Sequence, residues 1–262
     1  FGSAGQRCSA LRVAFLPKST AQSLIDGIIG AMNELKLGDP AEADTDVGPV
    51  IDAEAREILE KHLEVMGKEA KVLHQVDAGK IGERGFGFGP ALVELKSLDQ
   101  ITEEKFGPIL HVIRYDPDDI DEVGAKLKAK GYGLTLGIHS RLESFHNEVK
   151  AACPVGNTYV NRSMTGAVVG VQPFGGEGLS GTGPKAGGPH YLHRFANERV
   201  VTVNITAQGG DAELLSPPVS LWPSLALSRT CRTRRRSRTR PLSGRSPWAT
   251  ASSRSRLLWR PS

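Results

Sequence analysis

Cys8 is the residue whose setting most invites chemistry. It stands in the segment Phe1-Gly-Ser-Ala-Gly5-Gln6-Arg7-Cys8-Ser9-Ala10, among small residues and directly after Arg7. Small neighbours let backbone N–H groups approach the sulfur, and an adjacent cation favours the thiolate. Such a cysteine can do covalent work: the thiolate attacks a carbonyl carbon while a backbone amide steadies the oxyanion that forms. Taken alone, however, a single cysteine is more often a buried packing residue, so this segment by itself does not assign the chemistry. Further along stand Glu104-Lys105-Phe106-Gly107-Pro108 and Pro173-Phe174-Gly175-Gly176, the second followed by Ser180-Gly181; by residue type alone the acidic pair Glu103/Glu104 is an ordinary solvated face. Between the two segments, Gly166-Ala167 reads by itself as an ordinary glycine turn.

Together these segments resemble the aldehyde dehydrogenase superfamily. Gly5-Gln6-x-Cys8 is similar to its active-site motif, Glu104-x-Phe106-Gly107-Pro108 to its Glu-x-Phe-Gly-Pro, and Pro173–Gly176 to its Pro-Phe-Gly-Gly. The run from Asn161 to Pro189 resembles one branch more narrowly, the L-glutamate γ-semialdehyde (1-pyrroline-5-carboxylate) dehydrogenase part of the bifunctional bacterial proline-utilisation proteins. The resemblance implies NAD-dependent oxidation of L-glutamate γ-semialdehyde to L-glutamate in proline catabolism, through a thiohemiacetal and a thioester on the cysteine. Carried over by residue, Cys8 is the nucleophile, Ser9 with the backbone of Gly166 and Ala167 holds the substrate carboxylate, and Phe174 packs on the aliphatic stem. Glu104 accepts hydrogen bonds from the nicotinamide ribose, and Phe106 lies close to the nicotinamide. Also implied are a preceding Rossmann-like nucleotide domain, an upstream water-activating Glu, an oxyanion-hole Asn, and a separate proline dehydrogenase domain that binds FAD. None of these falls within this sequence, so it reads as a fragment, inactive alone, of a protein that forms homo-oligomers.

Gly176-Glu177-Gly178-Leu179-Ser180-Gly181 satisfies GxGxxG, with Glu198 further on. A dinucleotide fingerprint must follow a strand and open a helix, whereas Pro173 and Pro184 interrupt both sides here, so a structural or substrate-facing loop is expected. Cys153 before Pro154 reads as packing, and the seven His residues make no metal-ligating pattern, so no metal is expected.

Elements able to position these residues follow from apolar periodicity. Residues 11–16 read as a buried strand ended by Pro17, and Ser19 or Thr20 can cap a helix with Leu24, Ile25, Ile28, Ile29, Met32 and Leu35 on one face. A second helix spans 52–67 with the stripe Ile58, Leu59, Leu63 and Met66, ended by Gly67. Further strands are expected at Ala70–Leu73, Ala91–Leu95, 109–114, Gly133–His139 and Thr158–Asn161, with helices at 118–130 and 141–151. This alternation specifies an α/β class with a doubly wound, mainly parallel sheet. Residues 199–205 form an outlying, oligomerisation-type strand.

The 262 residues, 39% of them hydrophobic, can bury a core, but the net charge of +4 hides a split. Residues 217–262 hold eleven Arg, all three Trp, no Lys and no acid; removing those arginines leaves −7 on residues 1–216. An acidic body argues against a nucleic-acid surface. The expected organisation is therefore a catalytic domain over 1–206, a linker at 207–216 and a disordered Arg/Ser/Pro-rich tail at 217–262. The abrupt change near Ser216 reads as a shift of reading frame, its rival being a selected polybasic tail. That rival carries the alternative function, an inactive dehydrogenase-like interaction module. Three widely spaced Cys, no apolar run of about 18 residues and no signal-peptide order point to a reducing, cytoplasmic setting.

Overall fold

Ala91–Leu95 and Ile109–Tyr115 are apolar at nearly every position, as strands must be when both sheet faces are covered. The computed structural model describes residues 1–204, apart from 80, 82–84, 169 and 182, together with 207 and 209. The tail 217–262, and the linker 207–216 but for Ala207 and Gly209, lie outside the described residues.

Within the unit Phe1–Arg199, the elements run β1 (Val13–Pro17), α1 (Ala21–Asn33), α2 (Ala53–Glu69), β2 (Lys71–Gln75), β3 (Ala91–Leu95) and β4 (Ile109–Tyr115). Then come α3 (Ile120–Ala129), β5 (Tyr132–Gly133), β6 (Thr135–Ile138), α4 (Glu143–Ala152), β7 (Asn157–Val160) and β8 (Glu177–Gly178). The main sheet has the order β1-β4-β3-β2. Its β1–β4 and β4–β3 pairs are parallel and its β3–β2 edge is antiparallel. The architecture is α/β with a mixed, mostly parallel sheet.

The two-residue period of the strands sorts their side chains between two helices. On one face Leu92, Leu110 and Val112 meet Ala21, Ile25 and Met32 of α1. On the other Ala91, Val93, Ile109 and Ile113 meet Leu59 and Met66 of α2. His111 falls on the α2 face by the same alternation. Asp52 caps α2 by accepting from the Ala55 N–H at 2.8 Å. A third cluster, with Tyr115, Ile120, Val123, Ile138 and Val149, seats α3 and α4 beside the parallel pair β6–β7.

Several elements differ from the sequence expectation for local reasons. Helix α2 runs through Gly67 to Glu69, because Met66 is anchored in the core and Lys68 pairs back to Glu64 at 2.7 Å. Its buried stripe is Leu59, His62 and Met66, while Ile58 is exposed. Thr20 occupies the N-cap of α1, but its hydroxyl turns back to the Pro17 carbonyl instead of capping. The run 133–139 splits, since β5 pairs with β8 whereas β6 pairs with β7.

In the second unit, from Val200 onward, the described residues form no strand. Val200, Val201 and Val203 are exposed, and a strand exists only as half of a ladder. An oligomerisation-type strand pairs across a subunit contact, so residues 199–204 find no ladder among the described residues of a single chain, and residue 205 lies outside them.

Candidate active site

The loop that carries Cys8 is bent into a conformation its own residues disfavour. Ser3, Ala4 and Gly5 have φ of 55°, 51° and 64°, a left-handed path that costs about 1–2 kcal/mol per residue where a Cβ is present. Surrounding contacts hold it. Gln6 is a three-way anchor: its Nε2 donates to the Pro49 and Ser3 carbonyls, each at 3.3 Å, and its Oε1 accepts from the Ile51 N–H at 2.8 Å. The Gln of the Gly-Gln-x-Cys motif thus fixes the loop to the segment preceding α2.

Arg12, at the entrance to β1, is a second anchor that the sequence reading missed. Its Nη1 donates to Gly5 O at 2.6 Å and its Nη2 to Arg7 O at 3.0 Å, while Nε pairs with Glu104 Oε1 at 3.0 Å. The guanidinium also lies 4.5 Å from the centroid of the Phe106 ring. No local spacing marks this role, since Glu104 is 92 residues away. The Arg12 carbonyl accepts in turn from the backbone N–H of His111 at 3.0 Å and lies 3.1 Å from its ring Nδ1. A carbonyl can only accept, so Nδ1 carries the proton and Nε2 of neutral His111 accepts from His62 Nε2, 2.9 Å away. Burial, then the neighbouring His111 and Lys105, lowers the His62 pKa to about 4, and burial lowers that of His111 as well.

Cys8 is exposed and opens onto a cavity of about 520 Å³. Its walls are Gln6, Arg7, Cys8, Ser9, Gly166, Ala167, Gln172, Phe174, Ala186 and Gly187. All five residues assigned to the nucleophile and the substrate therefore share one cavity, although 158 to 166 positions of sequence separate Cys8 from Gly166 and Phe174. Gly166 has φ +78°, and among the described residues its N–H and those of Ala167 and Cys8 have no intramolecular partner. Three unpaired donors at one apolar-walled cavity suit anionic oxygens.

Two amides unnoticed in the sequence shape this wall. Asn157 donates to Pro173 O at 2.9 Å and accepts from Gly175 N–H at 3.1 Å, clamping the Pro-Phe-Gly-Gly segment from both sides. Gln172 closes the loop before it, accepting from Val168 N–H through Oε1 at 3.3 Å and donating its own N–H to Val168 O at 2.8 Å. Phe174 is held by paired backbone bonds with Ala186 at 2.9 and 3.0 Å.

Glu104 and Phe106 do not line the cavity; Arg12 joins them to the Cys8 loop instead. Arg12 engages Glu104 Oε1, so the second carboxylate oxygen could accept from a ligand hydroxyl, and Phe106 is 47% exposed. An acceptor and an accessible aromatic surface fit a nicotinamide riboside. The GxGxxG run does not offer a pyrophosphate cradle. A Cβ at Gly176 would lie 2.5 Å from Ser180 Cβ and one at Gly181 1.9 Å from Gly176 O, so these glycines permit a loop folded on itself, and among the described residues no helix opens directly behind it. Cys153 is buried, and burial raises its thiol pKa. Among the described residues no helix is long and apolar enough to cross a membrane.

Residues 1–201 match the aldehyde dehydrogenase family. The chain belongs to that family. It is 48% identical over 219 residues to the bifunctional protein PutA of Klebsiella aerogenes, covering 81% of this chain and 17% of that protein. A crystal structure of a variant of Bradyrhizobium japonicum proline utilization A superposes with a TM-score of 0.73 at 52% identity, over 79% of this chain and 21% of the other. A 1-pyrroline-5-carboxylate dehydrogenase from Thermus, solved with bound NAD, gives 0.65 at 33% identity, over 73% of this chain and 37% of the other. The chain thus spans about a sixth of the bifunctional protein and over a third of the Thermus enzyme.

Proposed function

We propose that this chain is the cysteine-bearing catalytic part of an NAD-dependent L-glutamate γ-semialdehyde dehydrogenase that acts in proline catabolism in the cytoplasm. The observation that carries the reading is the single cavity shared by Cys8, Ser9, Gly166, Ala167 and Phe174. On this reading the catalytic domain extends to residue 206, and the complete protein is a homo-oligomer.

Each group has a task that follows from its chemistry. The Cys8 thiolate adds to the aldehyde carbon, and the Cys8 N–H receives the oxygen that becomes negative. Ser9 and the free N–H groups of Gly166 and Ala167 hold the far carboxylate, which sets the distance of the aldehyde from the sulfur. Phe174 covers the methylenes between the two ends. NAD, held through Glu104 and Phe106, supplies the hydride acceptor when bound. Water then releases glutamate from the thioester left on Cys8.

The decisive assay follows NADH formation by the longest gene product that contains this chain, comparing the semialdehyde with pentanal. A kcat/KM at least about tenfold higher for the semialdehyde is expected, because a substrate that lacks the carboxylate forgoes its hydrogen bonds to Ser9, Gly166 and Ala167. Equal values would leave a general aldehyde dehydrogenase and overturn the substrate assignment.

A further inference from the structure

We propose that Arg12 is a positioning residue that aims the Cys8 N–H at the oxyanion formed during aldehyde addition; this rests on the reading of Cys8 as nucleophile. The C=O and N–H of a trans peptide point in opposite directions, so whatever grips Arg7 O also aims Cys8 N–H. Arg7 O has two donors, Ala10 N–H at 3.0 Å and Arg12 Nη2 at 3.0 Å. The Ala10 bond belongs to the turn itself and moves with it. The Arg12 bond ties the peptide to β1, where the Arg12 carbonyl is held by His111 on β4. The same guanidinium grips Gly5 O at 2.6 Å, so both carbonyls flanking the bend answer to one rigid fork. A cation on the carbonyl oxygen also polarises the peptide and strengthens its N–H as a donor. Through Glu104 and Phe106 the fork sets this peptide in register with the second half of the site. Lysine, a point charge without the planar fork, cannot make these contacts together.

Aldehyde addition without cofactor isolates the effect. The thiolate forms a C–S bond, the carbonyl π pair moves to oxygen, and that oxygen takes a proton from water. Alkylation of the same thiolate by iodoacetamide displaces iodide and makes no oxyanion. The experiment therefore measures iodoacetamide labelling of Cys8 by peptide mass spectrometry in this chain, with and without L-glutamate γ-semialdehyde, for the parent, Arg12→Lys and Arg12→Gln. The aldehyde should protect the parent. In Arg12→Lys the concentration for half-protection should rise at least about tenfold, a part of the 10²–10³ range for losing an oxyanion donor outright, while labelling without aldehyde stays within about twofold. Arg12→Gln should lose protection at least as far. An unprotected parent would refute the nucleophile reading and the proposal with it. A protected parent with equally protected variants would keep the reading and overturn the role of Arg12. Parallel changes in labelling and protection, or loss of the circular dichroism signal in both variants, would assign Arg12 a merely structural role and overturn it too.

Discussion

Gly5 and Gly107 pack so closely that a Cβ on Gly5 would stand 2.0 Å from the Gly107 carbonyl oxygen. One glycine belongs to the Gly-Gln-x-Cys segment and the other to Glu-x-Phe-Gly-Pro, so two motifs a hundred residues apart are one object in space. Gly107 is confined in its own right, since a Cβ there would meet Leu59 Cδ2 of α2 at 2.3 Å.

Gly5→Ala should therefore be among the most damaging small substitutions in the chain. Left-handed strain costs about 1–2 kcal/mol, and a backbone clash adds a comparable amount, as overpacked sites do. A loss of at least about 3 kcal/mol is expected from urea unfolding. A loss under about 1 kcal/mol would show that the Cys8 loop can move away from Gly107 freely.

The two described cysteines should behave as opposites. Cys8 is exposed, whereas Cys153 is 5% exposed and its thiol is pushed up by burial. Limited iodoacetamide treatment should label Cys8 and spare Cys153. Cys8→Ala should abolish NADH formation in the active gene product, and Cys153→Ala should leave kcat within about twofold while costing roughly 1 kcal/mol of stability for the small cavity. Preferential labelling of Cys153, or turnover by Cys8→Ala, would contradict the assignment.

Much of the frame was legible in the sequence because it is written in local periodicity. Ala91–Leu95 is a strand at the expected bounds, and α1 buries Ile25 and Met32 from its expected face. Motif residues could be picked out one by one, and the fold places Cys8, Gly166 and Phe174 around one cavity, a proximity that no sequence spacing encodes. What could not be read was long-range pairing of polar side chains. His62 takes a core slot that an apolar stripe would give to a neighbour, because its partner His111 arrives from β4. Arg12 and Asn157 look like ordinary polar residues until the fold brings Glu104 and Pro173 to them.

The His62–His111 pair makes stability depend on acid. Folded His62 has its pKa lowered to about 4, first by burial and then by His111 and Lys105, against about 6.5 in an unfolded chain. Between these values the unfolded state binds the extra proton, so stability is full above about pH 6.5 and falls as the pH drops toward 4. His111, lowered in the same direction by burial, adds to the trend. The loss should be on the order of 2 kcal/mol. Urea midpoints at pH 7.5, 6 and 5 check it, with His62→Gln expected to flatten the slope. An unchanged slope in that variant would place the acid sensitivity elsewhere.

Ser9 offers the sharpest test of substrate recognition, because its loss should be felt by one substrate and not by another. It is 4% exposed and borders the cavity beside Cys8, so a hydroxyl there is already shielded from bulk water. A hydrogen bond from such a group to a carboxylate contributes about 1.5–3 kcal/mol. Ser9→Ala should thus lower kcat/KM for L-glutamate γ-semialdehyde by roughly ten- to a hundredfold. Pentanal brings no carboxylate and has nothing to lose, so its kcat/KM should stay within about twofold. Equal losses for both would mean that Ser9 shapes the Cys8 loop rather than the substrate end, and unchanged values for both would remove Ser9 from the binding set, leaving the carboxylate to the Gly166 and Ala167 N–H groups.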